Sequence, residues 1–295
     1  MEEQFVISCC STVDMTLAWC REREVYPVSF HFALGADNYL DDFGQSLAPQ
    51  EIYRRMLAGE DAKTSQVNVE EYEQHFRKFL QEGKDILHIT LSSGISGTIN
   101  SARIAAEDME EEFPGRKVII IDSLCASSGY GLLVDKICDL RDAGKSLEEL
   151  RDWTEANKRL VQHWFFSTDL TFYIKGGRVS KTAGFIGNVL NICPLLDVDQ
   201  NGTLQPREKV RTKKKVIERT LEKMTEYAQN GTDYDGKCFI CQAECYDDAR
   251  KLADLVEARF PKLNGKVMIY PIGATIGCHT GPGTIALFFF GKERV

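Results

Sequence analysis

The sequence predicts an α/β protein of two domains, the first built on a parallel sheet with helices on its faces. Two observations lead there. Apolar strand patterns alternate with helical patterns through the first half, and several of those strands end in hydroxyl-bearing turns that open the next helix. In the second half, Asp199-Gln200-Asn201-Gly202 separates the apolar runs Leu195 to Val198 and Leu204 to Val210, a hairpin signal because Asn-Gly readily takes positive φ. The boundary falls near the end of the helix Leu147 to Arg159, giving domains of residues 1–160 and 161–295.

Taken in order, Gln4-Phe5-Val6-Ile7 is a buried strand, and Ser11-Thr12-Val13-Asp14 supplies cap residues for a helix from Met15 to Arg23. Val25 to Phe32 reads as one strand that Pro27 pushes toward an edge, followed by a loop holding Asp41, Asp42 and Gly44. Pro49 to Leu57 is a short amphipathic helix. Thr64 and Ser65 stand where they could start the next helix, Val69 to Leu80.

The central stretch runs from the strand Ile86 to Leu91 through Ser92-Ser93-Gly94-Ile95-Ser96-Gly97-Thr98 into a helical pattern. Such a turn aims hydroxyls and helix-start N–H groups at one point, which suits a carboxylate or phosphate, although a capped helix needs the same residues. Arg116 to Ser123 gives another strand. Strands thus end at Ser11 and Thr12, at Ser92 and Ser93, and at Ser123, and in open α/β sheets ligands sit outside the carboxyl ends of strands.

Beyond the boundary, Val161 to Phe166 is an apolar strand, and Lys175-Gly176-Gly177-Arg178 is a basic glycine turn. Phe185, Ile186, Val189, Leu190 and Ile192 form an apolar stripe at helical spacing ended by Pro194. Arg207, Lys209, Arg211, Lys213, Lys214 and Lys215 make a basic cluster, either a solvated helix start or a docking patch for an acidic partner. Helices follow at Val216 to Tyr227 and Asp247 to Phe260, strands at Lys237 to Ala243, Lys266 to Tyr270 and Thr284 to Phe290. His279 stands in a glycine-rich turn, placed to donate a hydrogen bond to an anion or simply to complete that turn.

Composition narrows the function. A net charge of −8 disfavours nucleic acid and anionic membrane. Met1-Glu2-Glu3-Gln4 lacks the positive segment of a signal peptide, and no apolar run nears the ~18 residues of a membrane span, so a cytoplasmic protein with no stable membrane insertion is expected. The ten cysteines then read as reduced thiols; Cys238 and Cys241, three apart on a strand, point to opposite faces and do not grip one ion with Cys245. The histidines are scattered, no nucleotide fingerprint appears, and Gly94-Ile95-Ser96-Gly97 falls one residue short of a serine-hydrolase elbow. Neither a metal nor a cofactor is expected.

Several motifs occurring in order carry a resemblance: Lys63-Thr64-Ser65-Gln66, Leu91 to Thr98, Ile121-Asp122-Ser123, Lys175-Gly176-Gly177-Arg178-Val179-Ser180, Lys209-Val210-Arg211 and His279-Thr280-Gly281-Pro282-Gly283. The chain resembles the DegV family over nearly its whole length. The resemblance implies an N-terminal three-layer α/β/α domain with a parallel sheet, a C-terminal two-layer α/β domain with a mixed sheet, and one long-chain fatty acid in a tunnel between them. It further implies a non-enzymatic protein that presents the acyl chain to a separate ATP-binding fatty acid kinase subunit, which makes the acyl-phosphate.

By the same resemblance Thr64, Ser92 or Ser93, and His279 bind the carboxylate with Arg178 close by, and Ser11, Thr12, Ser123, Gly94, Gly97 and Thr280 are possible neighbours of the head group. One departure stands out. The family usually begins Thr-Asp-Ser-Thr, and here Cys9-Cys10-Ser11-Thr12 puts Cys10 at the acid. The alternative from another class is an acyl hydrolase using Ser93 or Ser96 with His279, or a small-carbonyl kinase subunit in which His279 binds substrate covalently; either requires a third residue to orient the histidine.

Overall fold

The computed structural model describes residues 4–180 and 192–295. The strands are β1 (Phe5–Cys10), β2 (Val25–Val28), β3 (His31–Leu34), β4 (Asp37–Leu40), β5 (Ala62–Ser65), β6 (Asp85–Thr90), β7 (Val118–Asp122), β8 (Val161–Phe166), β9 (Ile192–Val198), β10 (Leu204–Arg211), β11 (Phe239–Gln242), β12 (Met268–Pro271) and β13 (Ile285–Phe290). The helices are α1 (Leu17–Glu22), α2 (Pro49–Leu57), α3 (Val69–Gln81), α4 (Thr98–Glu112), α5 (Ser127–Asp142), α6 (Leu147–Asn157), α7 (Thr171–Lys175), α8 (Lys213–Tyr227), α9 (Tyr246–Arg259) and α10 (Ala274–Thr280).

The N-terminal half builds a parallel sheet in the order β2-β1-β6-β7. Its central strands are near-continuous apolar runs, as strands covered on both faces must be, and Ile7, Ile86, Leu87 and Ile89 are fully buried. Here α3 and α4 pack against each other beside β6 and β7. An Asn68 to Glu71 capping box starts α3, so Thr64 and Ser65 do not cap that helix and belong to β5.

The expected single strand from Val25 to Phe32 is in fact two. After Val28 the chain leaves the parallel sheet, and β3 joins a separate antiparallel sheet in the order β4-β3-β5. Burial alternates along β3, pointing Phe32 and Leu34 inward, and much of what reads as loop between Gly35 and Gly44 is the β4 arm of this hairpin.

The C-terminal half forms a mixed sheet, β10-β9-β8-β13-β11-β12, antiparallel except between β11 and β12. Strict alternation gives it two different faces. Trp164, Phe166, Leu195, Ile240, Ile285 and Leu287 share one core with α8 and α9. Phe165, Leu196, Cys241, Ala286 and Phe288 turn the other way, toward the N-terminal half. Cys238 and Cys241 accordingly lie in separate cores.

Between the two sheets lies α5. On one side the Tyr130 hydroxyl accepts from the Cys10 N–H at 2.9 Å and donates to the Ile89 carbonyl; on the other, α5 packs on β8, β11 and β13. The apolar stripe of Phe185, Ile186, Val189 and Leu190 lies outside the described residues, and Ile192 and Pro194 belong to β9. Among the described residues no helix is long and apolar enough to cross a membrane.

Three histidines are buried within these layers. His75 and His88 share the Ser8 hydroxyl at 2.8 Å each, and His163 sits on β8. Burial lowers all three, His75 to about 4. In the unfolded chain each takes up a proton near pH ~6.5, so the unfolded state binds more protons below that pH and stability falls as pH drops from there toward 4. Urea unfolding at stepped pH should show this loss, with His75→Gln reducing its slope by up to about 1.4 kcal/mol per pH unit; an unchanged slope would mean His75 is already charged in the fold.

Candidate ligand-binding site

The loop between β6 and α4 is fixed from several directions. Ser93 N–H donates to Asp122 Oδ1 at 3.1 Å, the N–H groups of Ile95 and Ser96 donate to the Ser92 carbonyl, and Thr98 N–H donates to Ser96 Oγ at 3.2 Å. The Ser92 hydroxyl is buried and points away from the loop's open side, donating to the Gly202 carbonyl at 2.8 Å. Gly202 is at the tip of the β9–β10 hairpin, where its φ of +74° meets the expectation for the Asn-Gly turn. A side chain at Gly94 would stand 2.6 Å from the Gly202 carbonyl oxygen, and one at Gly202 would overlap the Ser92 hydroxyl. Two glycines and one serine thus bolt the halves together beside the loop.

Under this seam lies a cavity of about 560 Å³, within the range of roughly 300–1,000 Å³ usual for small-molecule sites. Both halves line it. Thr64, Ser93, Ser96 and Gly97 come from one side, and Arg178, His279 and Thr280 from the other. The remaining wall is largely apolar, with Phe30, Phe165, Val198, Ile272, Ile276 and Phe288 prominent.

His279 is not in a turn. It occupies the last turn of α10, a helix of poor intrinsic propensity (ATIGCHT) that packing and buried carboxylates hold in place. Asp41 Oδ2 accepts from the Thr275 N–H at 3.2 Å, and Gly273 approaches Asp14 so closely that a side chain there would stand 2.5 Å from Asp14 Oδ1. Burial pushes both carboxyls upward. At the other end of α10, Thr64 Oγ1 on β5 and His279 Nε2 are 2.7 Å apart across the two halves.

Burial first, and then Arg178, pushes His279 down to about 4, so its ring is neutral at physiological pH. Its Nδ1 faces Gly176, where a side chain would stand 2.3 Å away, and has no partner; the Thr280 hydroxyl is also buried and unpartnered. The half-buried Arg178 guanidinium donates to the Gly176 carbonyl at 2.5 Å. Deeper in, polar groups are already engaged: Thr284 donates to the Thr280 carbonyl at 3.2 Å, and Ser127 donates to Asp14 Oδ2 at 2.5 Å. The cavity therefore has one end with a cation and the Thr64–His279 pair, and beyond it a largely apolar wall that also carries the hydroxyls of Ser127, Thr275 and Thr284.

The DegV family model matches residues 5–292. The chain belongs to the DegV family. A DegV domain-containing protein of Clostridium perfringens is 32% identical over 292 residues, covering 99% of each chain. A DegV family protein from Thermus thermophilus, described by its fatty acid binding, superposes with a TM-score of 0.87 at 26% identity over 98% of this chain and 100% of that one. The Fak B3 protein of the Streptococcus pneumoniae fatty acid kinase, solved with linoleic acid, shares the fold at 23% identity with a TM-score of 0.84, covering 98% and 100%.

Not every DegV motif residue reaches the cavity. Ser93 lines it, whereas Ser92 serves the seam. Ser11, Thr12 and Ser123 are buried elsewhere: the Ser11 hydroxyl accepts from Phe30 N–H, and Ser123 accepts from Cys125 N–H, both at 3.0 Å. The Ser11 hydroxyl ties the end of β1 to Phe30, the Ser123 hydroxyl closes its own turn, and none of the three residues lines the cavity. Cys10 is also inside the core, its Sγ 3.3 Å from the Tyr72 hydroxyl, so the exchange at the family's acidic position does not touch the cavity wall.

The basic cluster is partly neutralised: Arg207 pairs with Asp197 at 2.7 Å and Lys213 with Asp248 at 2.9 Å, while Lys214 only reaches Glu218 at 4.0 Å. Arg207, Lys209 and Arg211 all face outward on β10. Neither Ser93 nor Ser96 is the hydroxyl partner of His279, and among the described residues no carboxylate orients its Nδ1, so these groups do not assemble a hydrolytic dyad. Among the described residues no group of metal-ligating side chains forms.

The two adjacent serines should behave differently. Ser92→Ala leaves the buried Gly202 carbonyl without its donor and should lower unfolding stability by about 1–3 kcal/mol, while Ser93→Ala should change it by no more than about 0.5 kcal/mol; denaturant titration of both variants checks the division.

Proposed function

We propose that this chain binds one long-chain fatty acid in the cavity between its halves and presents the carboxylate to a separate kinase that forms the acyl-phosphate, doing no chemistry of its own. The observation that carries the reading is the polarity of the cavity. The Thr64–His279 pair, Ser93 and Arg178 gather at one end of a cavity whose remaining wall is largely apolar. A fatty acid has that same division. Its carboxylate only accepts hydrogen bonds, and Thr64 can take the Nε2 proton of neutral His279 while turning its own hydroxyl proton to the acid. Ser93 and Arg178 add a second donor and a positive charge.

The acyl tail supplies affinity, because each methylene removed from water contributes about 0.8 kcal/mol. The fatty acid binding of the Thermus thermophilus relative supports the same ligand class. The kinase is the partner that the family resemblance implies, and the outward row of Arg207, Lys209 and Arg211 with Lys213 and Lys214 is the surface assigned to it, since clustered positive charge on an acidic protein would steer an acidic partner.

Native mass spectrometry of protein purified from bacterial cells should reveal one bound acid of roughly fourteen to eighteen carbons. Thr64→Val and His279→Ala should each weaken its retention at least tenfold. A chain that stays empty, or that turns over a chromogenic acyl ester in a Ser93-dependent way, would overturn the reading. For the partner surface, Arg211→Glu with Lys214→Glu should slow acyl-phosphate formation by a fatty acid kinase at low salt and leave fatty-acid affinity unchanged; equal rates would remove the assignment.

A further inference from the structure

Thr284, just before β13, lies beside the end of α10, and Ala286 and Phe288 follow on the strand in steps of two residues, all three lining the space. Each step is about 7 Å. At the Phe288 level the wall is tightly packed. Phe288 is paired directly with His163 on β8, their rings T-shaped at 5.2 Å, and α5 is pressed onto both. A side chain at Gly129 would stand 2.4 Å from His163 Nε2 and 2.5 Å from Phe288 Cδ1, so only glycine lets the helix close this tightly. His163 is a suitable wall despite its polarity. Its Nδ1 bonds the Val161 carbonyl at 3.0 Å and its Nε2 accepts from the Ala126 N–H at 3.2 Å, so what remains for the cavity is ring carbon.

One step nearer the polar end, the sheet opens. Ala286 is paired with Phe165 on one side and Cys241 on the other, and all three face the cavity. In this row the two small side chains, Ala286 and Cys241, are adjacent, and the Ser127 hydroxyl lies 3.1 Å from Cys241 Sγ. Free volume beneath the packed wall thus depends on Ala286 having no more than a methyl group.

We propose that the His163–Phe288 pair is the stop for the terminal methyl of the bound acyl chain, and that Ala286 determines which chain lengths fit. The inference rests on the fatty-acid reading above and deepens it. A larger residue at 286 fills the last segment of the cavity and excludes the longest chains, whereas truncating Phe288 removes the stop and admits longer ones. Each methylene displaced from the cavity weakens binding about fourfold.

The test uses the full chain, stripped of lipid and offered an equimolar mixture of saturated acids from dodecanoic to icosanoic, with bound species read by native mass spectrometry and affinities by titration. Relative to the unsubstituted chain, Ala286→Leu should shift the bound distribution shorter by two or more carbons and weaken the formerly preferred acid at least tenfold. Phe288→Ala should shift the distribution longer. If Ala286→Leu fails to fold, Ala286→Val carries the same expectation with a smaller shift. Identical distributions in all variants, with affinities within twofold, would overturn the length assignment while leaving fatty-acid binding intact. Failure of the unsubstituted chain to take any acid would overturn the underlying function instead.

Discussion

Everything at the site depends on how closely two pieces of backbone approach. The hairpin tip at Asn201 and Gly202 rests on the serine loop at Ser92 to Gly94, a contact possible only because neither glycine has a side chain and because the Ser92 hydroxyl satisfies the carbonyl that the contact buries. This approach fixes the distance between the parallel sheet and the mixed sheet. The cavity is the space left where α5 does not fill the gap. Thr64 and His279, 215 positions apart in the chain, meet across it at 2.7 Å.

The electrostatics suit the recognition of an anion. A histidine kept neutral by burial, next to a hydroxyl, can pass hydrogen bonds to an anion without adding a second buried charge to that of Arg178. General base work on a serine would need the ring oriented by a carboxylate, and the two buried carboxylates in this region, Asp14 and Asp41, are instead engaged at the opposite end of α10. They position the helix that carries the histidine. The family's solved members share this architecture.

What was legible in the sequence follows from how local each signal is. The strand Asp85–Thr90, its serine turn and the hairpin at Asp199 to Gly202 are set by runs of a few residues, and each forms as its pattern requires. The antiparallel sheet of β3, β4 and β5 was not legible, because its strands are four residues long and are held by partners some thirty positions away, Phe32 facing Thr64. The helical state of His279 was hidden for a related reason: Gly277 weakens the helix locally, yet it lets α10 pack so near Tyr53 that a side chain there would clash. The choice between Ser92 and Ser93 could not be made from adjacent identical residues, since only the arrival of Gly202 gives them different neighbours.

The wall of the cavity has a thermodynamic consequence. The space is bounded by both halves and by α5, so an occupant would touch both sheets and the helix between them. Any molecule that binds there only in the folded state would raise the free energy of unfolding by an amount that grows with its concentration. The halves already share one apolar core through α5, so an occupant would add to a joint that exists without it.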